Sequence, residues 1–301
     1  MPKLRSRRRR VPFALVSLVL LLSAGGTIPA ASAAGTIAEY VLPTADSLPL
    51  SITLGPDGNL WFAERDGNKI GRVAPDGTVT EFALPTPGSS PWGVAAGSDG
   101  NVWFTERGGD KIGRITMDGA ITEFPLPRTG QQPAGIAAGP DGNIWFSEFH
   151  AGTIGRITPQ GVVTEFPLPR PNSGPGDITA GADGRMWFVE LAGTMDGRKP
   201  DGNRVASITM DGRVTEYPIP SQTGSPINIA VGPDRNIWFT KGGLVGRVTR
   251  DGTITEFPLP MPNAGATGLT AGSDRQPPTR LTNRLWFTES AGNRIAFLQF
   301  R

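Results

Sequence analysis

Five glutamates, Glu64, Glu106, Glu148, Glu190 and Glu289, stand at one place in a recurring Trp-Phe-x-Glu run, and Lys241 replaces the acid once. Carboxylates there can exchange a proton or bond to a neighbouring loop backbone. Asp177 and Asn228 take the place of glycine in a second recurring slot, and with Glu190 they form a set of hard oxygen donors suited to Mg²⁺ or Ca²⁺. The same groups would also serve as polar lining of a wet channel. The only histidine, His150, follows Phe149 and offers a general base near neutral pH. Trp92, the one tryptophan outside the Trp-Phe set, offers a stacking platform. The candidates are therefore His150 and Glu289 for catalysis, Trp92, Phe149 and Lys241 for ligand contact, and Asp177, Asn228 and Glu190 for a metal. The chain has no G-x-S-x-G, H-E-x-x-H or P-loop, so serine-hydrolase, zinc-peptidase and nucleotide chemistry lack a basis.

The elements that must position these groups follow from a repeat. Trp-Phe begins at Trp61, Trp103, Trp145, Trp187, Trp238 and Trp286, at spacings of 42, 42, 42, 51 and 48 residues. A period near 42 points to propeller blades. Each copy holds four β-rich runs separated by turns such as Asp118-Gly119, which is a four-stranded antiparallel meander. Six meanders stacked radially cover one another's faces. The head before Trp61, from Gly35, and the tail from Trp286 together make one repeat. The strand around Gly35–Pro43 is therefore expected to complete the last blade and close the ring. If the Asp-Gly turns have two residues, Arg72 faces Glu81, Arg114 faces Glu123, Arg156 faces Glu165 and Arg247 faces Glu256, as structural cross-strand pairs.

Strand directions place the loops between blades and those between second and third strands on one rim. There the x of the Pro-x-Gly-Ile pattern varies as Leu50, Trp92, Ala134, Gly176, Ile227 and Thr267. Variable loops on a rigid scaffold are where ligand sites are usually built. An insertion of nine residues in the fourth blade, with Met195, Asp196, Arg198, Lys199 and Asp201, would act there as a lid or as a tolerated surface insertion.

The 301 residues include 41 Gly and 29 Pro, with no cysteine. That composition opposes long helices and leaves no thiolate or disulfide chemistry. The net charge of +2 belongs to the N-terminus. Residues 1–34 combine six basic residues, an apolar run from Val11 to Leu22 and an Ala31-Ser32-Ala33 site, the pattern of a secretory signal. Two export routes are compatible with it, the general one and, from Ser6-Arg7-Arg8, the twin-arginine one. Its removal leaves 23 basic against 27 acidic residues, a net charge of about −4. The expectation is a secreted, extracellular monomer of one domain, 35–301, with no nucleic-acid partner and no membrane association after cleavage.

The wording Gly-Pro-Asp-Gly-Asn-Leu-Trp-Phe, Asn-Lys-Ile-Gly-Arg and Ile-Thr-Glu-Phe-Pro-Leu-Pro resembles the streptogramin B (virginiamycin B) lyases over nearly all of 36–300. The resemblance implies a Mg²⁺-dependent lyase of antibiotic resistance that opens a cyclic depsipeptide by elimination across its ester, with a histidine base and a metal in the axial funnel. It also implies seven blades, where this chain counts six. The family's histidine slots hold Ile227 and Thr267 here, and Glu289 matches its acidic residue. Two further readings remain: a non-catalytic propeller binding a small molecule, peptide, glycan or envelope component on the rim, and a lactonase-like metal hydrolase.

Overall fold

The computed structural model of the protein describes residues 40–192, 201–260, 265–276, 280–289 and 294–300. The chain divides into 1–39 and 40–301, and the second unit is all-β. The leader, residues 35–39 of the expected closing strand Gly35–Pro43, and insertion residues Met195, Asp196, Arg198 and Lys199 lie outside the described residues, and the described remainder of that segment, 40–43, forms no strand. Four-stranded antiparallel sheets over 49–83, 91–125, 133–167, 175–218 and 226–258, and three strands over 266–299, form six blades in a propeller arrangement. From blade one through to blade six, the first strand of each blade packs against the first strand of the one after it, so these strands are innermost.

The turns explain a one-residue difference from the expected register. Ala74 N donates to Thr78 O and Gly77 N to Ala74 O, with Gly77 at φ 87°. This is a three-residue loop ending in a left-handed glycine, not a two-residue hairpin. Glu81 consequently lies opposite Gly71, and Glu123, Glu165 and Glu256 lie opposite Gly113, Gly155 and Gly246. The expected Arg–Glu pairs do not form. Lys69 and Thr44 hold Glu81 instead, as Lys111 and Thr86 hold Glu123. The displaced arginines join blades: Arg72, Arg114 and Arg156 donate to the carbonyls of Met117, Pro159 and Met210 in the following blade.

The Trp-Phe dipeptide supplies both faces of a blade, because successive strand residues point to opposite sides. Trp103 of blade two joins Ile136, Ile144 and Phe146 of blade three, whereas Phe104 joins Trp61 and Ile70 of blade one. Each described interblade core thus receives a tryptophan from one side and a phenylalanine from the other. Gly155 lies under the Phe146 ring, where an added Cβ would come within 2.1 Å of Cζ. Gly155→Ala is expected to destabilise by about 1–3 kcal/mol through overpacking, read by urea denaturation; an unchanged midpoint would show that the ring moves freely. On blade one, Ile52 and Leu54 stand 59% and 62% exposed, on the face a closing blade would cover.

Candidate functional site

A cavity of about 370 Å³ opens among the inner strands of blades one to five. Its construction begins with a repeated irregularity. Between Pro91 and Val94 the pairing with the second strand skips a step, and the same occurs at Pro49/Ile52, Pro133/Ile136, Pro175/Ile178 and Pro226/Ile229. Bulges of this kind re-aim side chains beside sites. The two residues inside each bulge, Leu50-Ser51, Trp92-Gly93, Ala134-Gly135, Gly176-Asp177 and Ile227-Asn228, all line the cavity.

A hydroxyl on the second strand normally ties each bulge. Thr105 Oγ1 accepts from Gly93 N and donates to Ala134 O of the next blade, and Thr240 Oγ1 links Asn228 N to Thr267 O in the same way. Blades one and four have Ala63 and Val189 there, without a hydroxyl. In these two the bulge itself carries the acceptor. Ser51 Oγ accepts from Val94 N (3.2 Å), and Asp177 Oδ2 accepts from Ile229 N (3.0 Å), each in the next blade. Asp177 Oδ1 also accepts from Ile178 N, and Asn228 Nδ2 donates to Oδ2 at 3.3 Å. Burial raises the Asp177 pKa to about 6, against the opposing effect of these three donors.

The structure brings Asp177 and Asn228 together but not with Glu190, which does not line the cavity. Glu190 is fully buried in blade four, and neither carboxylate oxygen has a hydrogen-bond partner. Glu148 is in the same condition, so the alternative of glutamates bonded to loop backbone does not describe these two. Lys241 is likewise buried, its Nζ donating to Asn203 Oδ1 and Ser221 O. Glu289 pairs through its backbone with Ala266 and Arg294. His150 is half-buried, 5.3 Å from Phe149 between ring centroids, and is absent from the cavity wall.

The donor set does not fit magnesium. Among the described residues the wall offers one carboxylate with three of its acceptor sites occupied by N–H groups, and Asn228 turns its amide donor toward it. Among the described residues no three His, Cys, Asp or Glu side chains come together as a cation cage. What the wall offers instead is an aromatic clamp. The Arg107 guanidinium lies 4.6 Å from the Trp92 ring centroid and 5.6 Å from that of Phe149, and Nε and Nη2 both donate to Gln132 Oε1. Leu50, Ile136, Leu191 and Ile227 complete an apolar surface around it. Sequence reasoning singled out Phe149 and passed over Arg107 and Leu191, although all three follow the same repeated glutamate.

The model of the virginiamycin B lyase family matches residues 17–201 and 198–301. A streptogramin B lyase structure is 38% identical, covering 88% of this chain and 84% of that one with a TM-score of 0.79. A virginiamycin B lyase from Staphylococcus aureus is 37% identical, covering 86% of this chain and 87% of its own with a TM-score of 0.75. A catalytically inactive histidine-to-alanine variant of the lyase from the same organism, solved with quinupristin, is 37% identical over 86% of each chain, with a TM-score of 0.77. A gluconolactonase-like structure shares the fold at 17% identity and a TM-score of 0.58, covering 85% of this chain and 89% of its own. No curated protein matches the chain.

Proposed function

The chain belongs to the virginiamycin B lyase family, and from that premise we propose that it is an exported binding member, holding a cyclic peptide-like ligand in its funnel without opening the ring. The observation that carries this reading is the cavity wall. Elimination across an ester needs a base for the α-proton and an electrophile for the carbonyl. Among the described residues, the titratable side chains in the wall are Arg107, stacked on aromatics, and Asp177, occupied in joining blades four and five. The histidine slots implied by the family hold Ile227 and Thr267, and His150 stands outside the wall.

A relative that has lost one histidine is catalytically inactive and yet was solved with quinupristin, which separates holding from cleaving. Trp92, Phe149 and the aliphatic wall supply apolar area for such a ligand, and Arg107 supplies a positive charge at the rim. The decisive experiment incubates the chain lacking residues 1–34 with quinupristin. Saturable tryptophan-fluorescence quenching is expected, with the cyclic compound recovered intact, and Trp92→Ala should weaken binding about tenfold, or about 1.4 kcal/mol. Ring-opened product above a protein-free control would overturn the reading, as would absence of saturable binding.

A further inference from the structure

At the opposite ends of the strands, a second cavity of about 300 Å³ lies between blades four and five. Its wall includes Asp183 and Trp187 of blade four, and Arg235, Asn236, Ile237, Val248 and Arg250 of blade five. Three departures from the repeat converge here. The third-strand arginine that bridges to the next blade is Ser207 in blade four, and Arg185 replaces the turn asparagine found as Asn59, Asn101 and Asn143. Arg185 takes over the bridge, donating to Arg250 O at 3.0 Å, while Asp183 neutralises it at 2.7 Å. Arg185 also donates to Ser207 Oγ at 3.1 Å and Tyr217 Oη at 3.2 Å, so it fills the place of the missing arginine and is spent on holding the two blades together.

The third departure is Arg235. The corresponding turn residues Gly58, Gly100, Gly142 and Gly184 have φ between 78° and 80°, and Arg235 is held at φ 63°. This left-handed conformation disfavours a side chain, so a residue kept there despite the strain invites a functional explanation. Arg235 and Arg250 are both exposed. Neither guanidinium is paired with a carboxylate among the described residues. The nearest acids in sequence are occupied elsewhere: Asp234 accepts from Trp238 Nε1 and Asn236, and Asp251 from Thr249 and Thr253. Two uncommitted guanidiniums therefore stand at one cavity whose own acid is already neutralised.

We propose that this cavity is an oxyanion site, taking a ligand with two or more negative charges of the phosphate or carboxylate type across Arg235 and Arg250. Planar guanidiniums bind both oxyanions through paired N–H donors. The site stands on different residues from the funnel and is independent of the funnel's activity. Its test is calorimetric titration of the leaderless chain with pyrophosphate, and with citrate in a parallel arm, at low ionic strength. Saturable binding is expected, weakened by added salt, and reduced at least tenfold in Arg235→Gly/Arg250→Ala with quinupristin binding unchanged. Tighter pyrophosphate than citrate binding would assign phosphate geometry, and equal binding would assign charge alone; both retain the site. Arg235→Gly should not lower the thermal midpoint, since it restores the glycine of the other four turns. No saturable binding of either anion, or equal binding by the folded double variant, would overturn the proposal.

Discussion

Trp145→Ala should destabilise the protein by about 3–5 kcal/mol, the range for removing a large aromatic from a packed core. Trp145 is fully buried, and its loss removes more than area. Its Nε1 donates to Asp141 Oδ1 at 3.0 Å, it stacks on Phe166 at 5.4 Å, and Arg156 lies 5.4 Å from its centroid. Arg156 in turn reaches Met210 O of the next blade. Deleting the indole therefore opens a cavity, frees an acceptor whose carboxyl is held below its ordinary range and loosens an interblade bond. Burial works against that lowering, while Asn143, Trp145 and Arg156 produce it. Trp145→Phe should keep the stack and lose only the N–H, at about 1–2 kcal/mol. Trp286→Ala should cost less than Trp145→Ala, because Trp286 is only half-buried. Urea denaturation would decide: a loss below about 1 kcal/mol for Trp145→Ala would remove the tryptophan from the structural role given to it here.

The blades were legible in the sequence because the Trp-Phe dipeptide carries a geometric requirement. A packed strand with aromatics on two faces needs a neighbour on each. The register was less legible. An Asp-Gly dipeptide fits both two- and three-residue turns, and only the position of the left-handed glycine decides which carbonyl closes the loop. Here Gly77 ends a three-residue loop. The one-residue shift moved Arg72, Arg114 and Arg156 from a glutamate to the next blade's carbonyl, changing a pair within a blade into a link between blades.

The site was legible in part. The variable Pro-x-Gly slots are cavity residues in five blades, because the bulge that turns them inward recurs with the proline. The role of Asp177 was missed for lack of one comparison. Ala63 pairs with Ser51, and Val189 with Asp177: wherever the second strand lacks a hydroxyl, the bulge carries an acceptor. That coupling was visible between repeats of one sequence, and it reads Asp177 as an interblade fastener before any metal is invoked. The burial of Lys241 had no such signal. Its position is equivalent to the glutamates, and only packing shows that its ammonium turns toward Asn203 and Ser221.

Those buried glutamates make the protein less stable as pH rises through neutrality. Burial raises the pKa of Glu106 to about 7, with the Glu123 charge adding to it and Ser89 and Lys111 opposing. Burial raises Glu148 and Glu190 to about 8, with further repulsion from Glu165 and Glu216 respectively. In the unfolded chain a glutamate releases its proton near 4.5. Between that value and about 8 the folded state binds more protons, so unfolding becomes easier with each added pH unit. The stabilisation is complete below about 4.5 and lost as pH rises through the folded values, on the order of 1 kcal/mol per unit for each group. Asp57, Asp99 and Asp183 act in the opposite sense: burial raises their pKa, but bonds from neighbouring tryptophan and turn residues prevail and lower it. Their contribution is present above the ordinary carboxylate range and lost as pH falls below it. Maximum stability is thus expected near pH 5, with a thermal midpoint at pH 5.5 at least about 5 °C above that at pH 8. Glu148→Gln/Glu190→Gln should flatten that slope by about half or more, because a neutral amide stands in for the protonated acid without a proton to lose. A midpoint that is level or rises between pH 5.5 and 8, or a double variant with the slope of the parent, would show that these carboxyls ionise without cost to the fold.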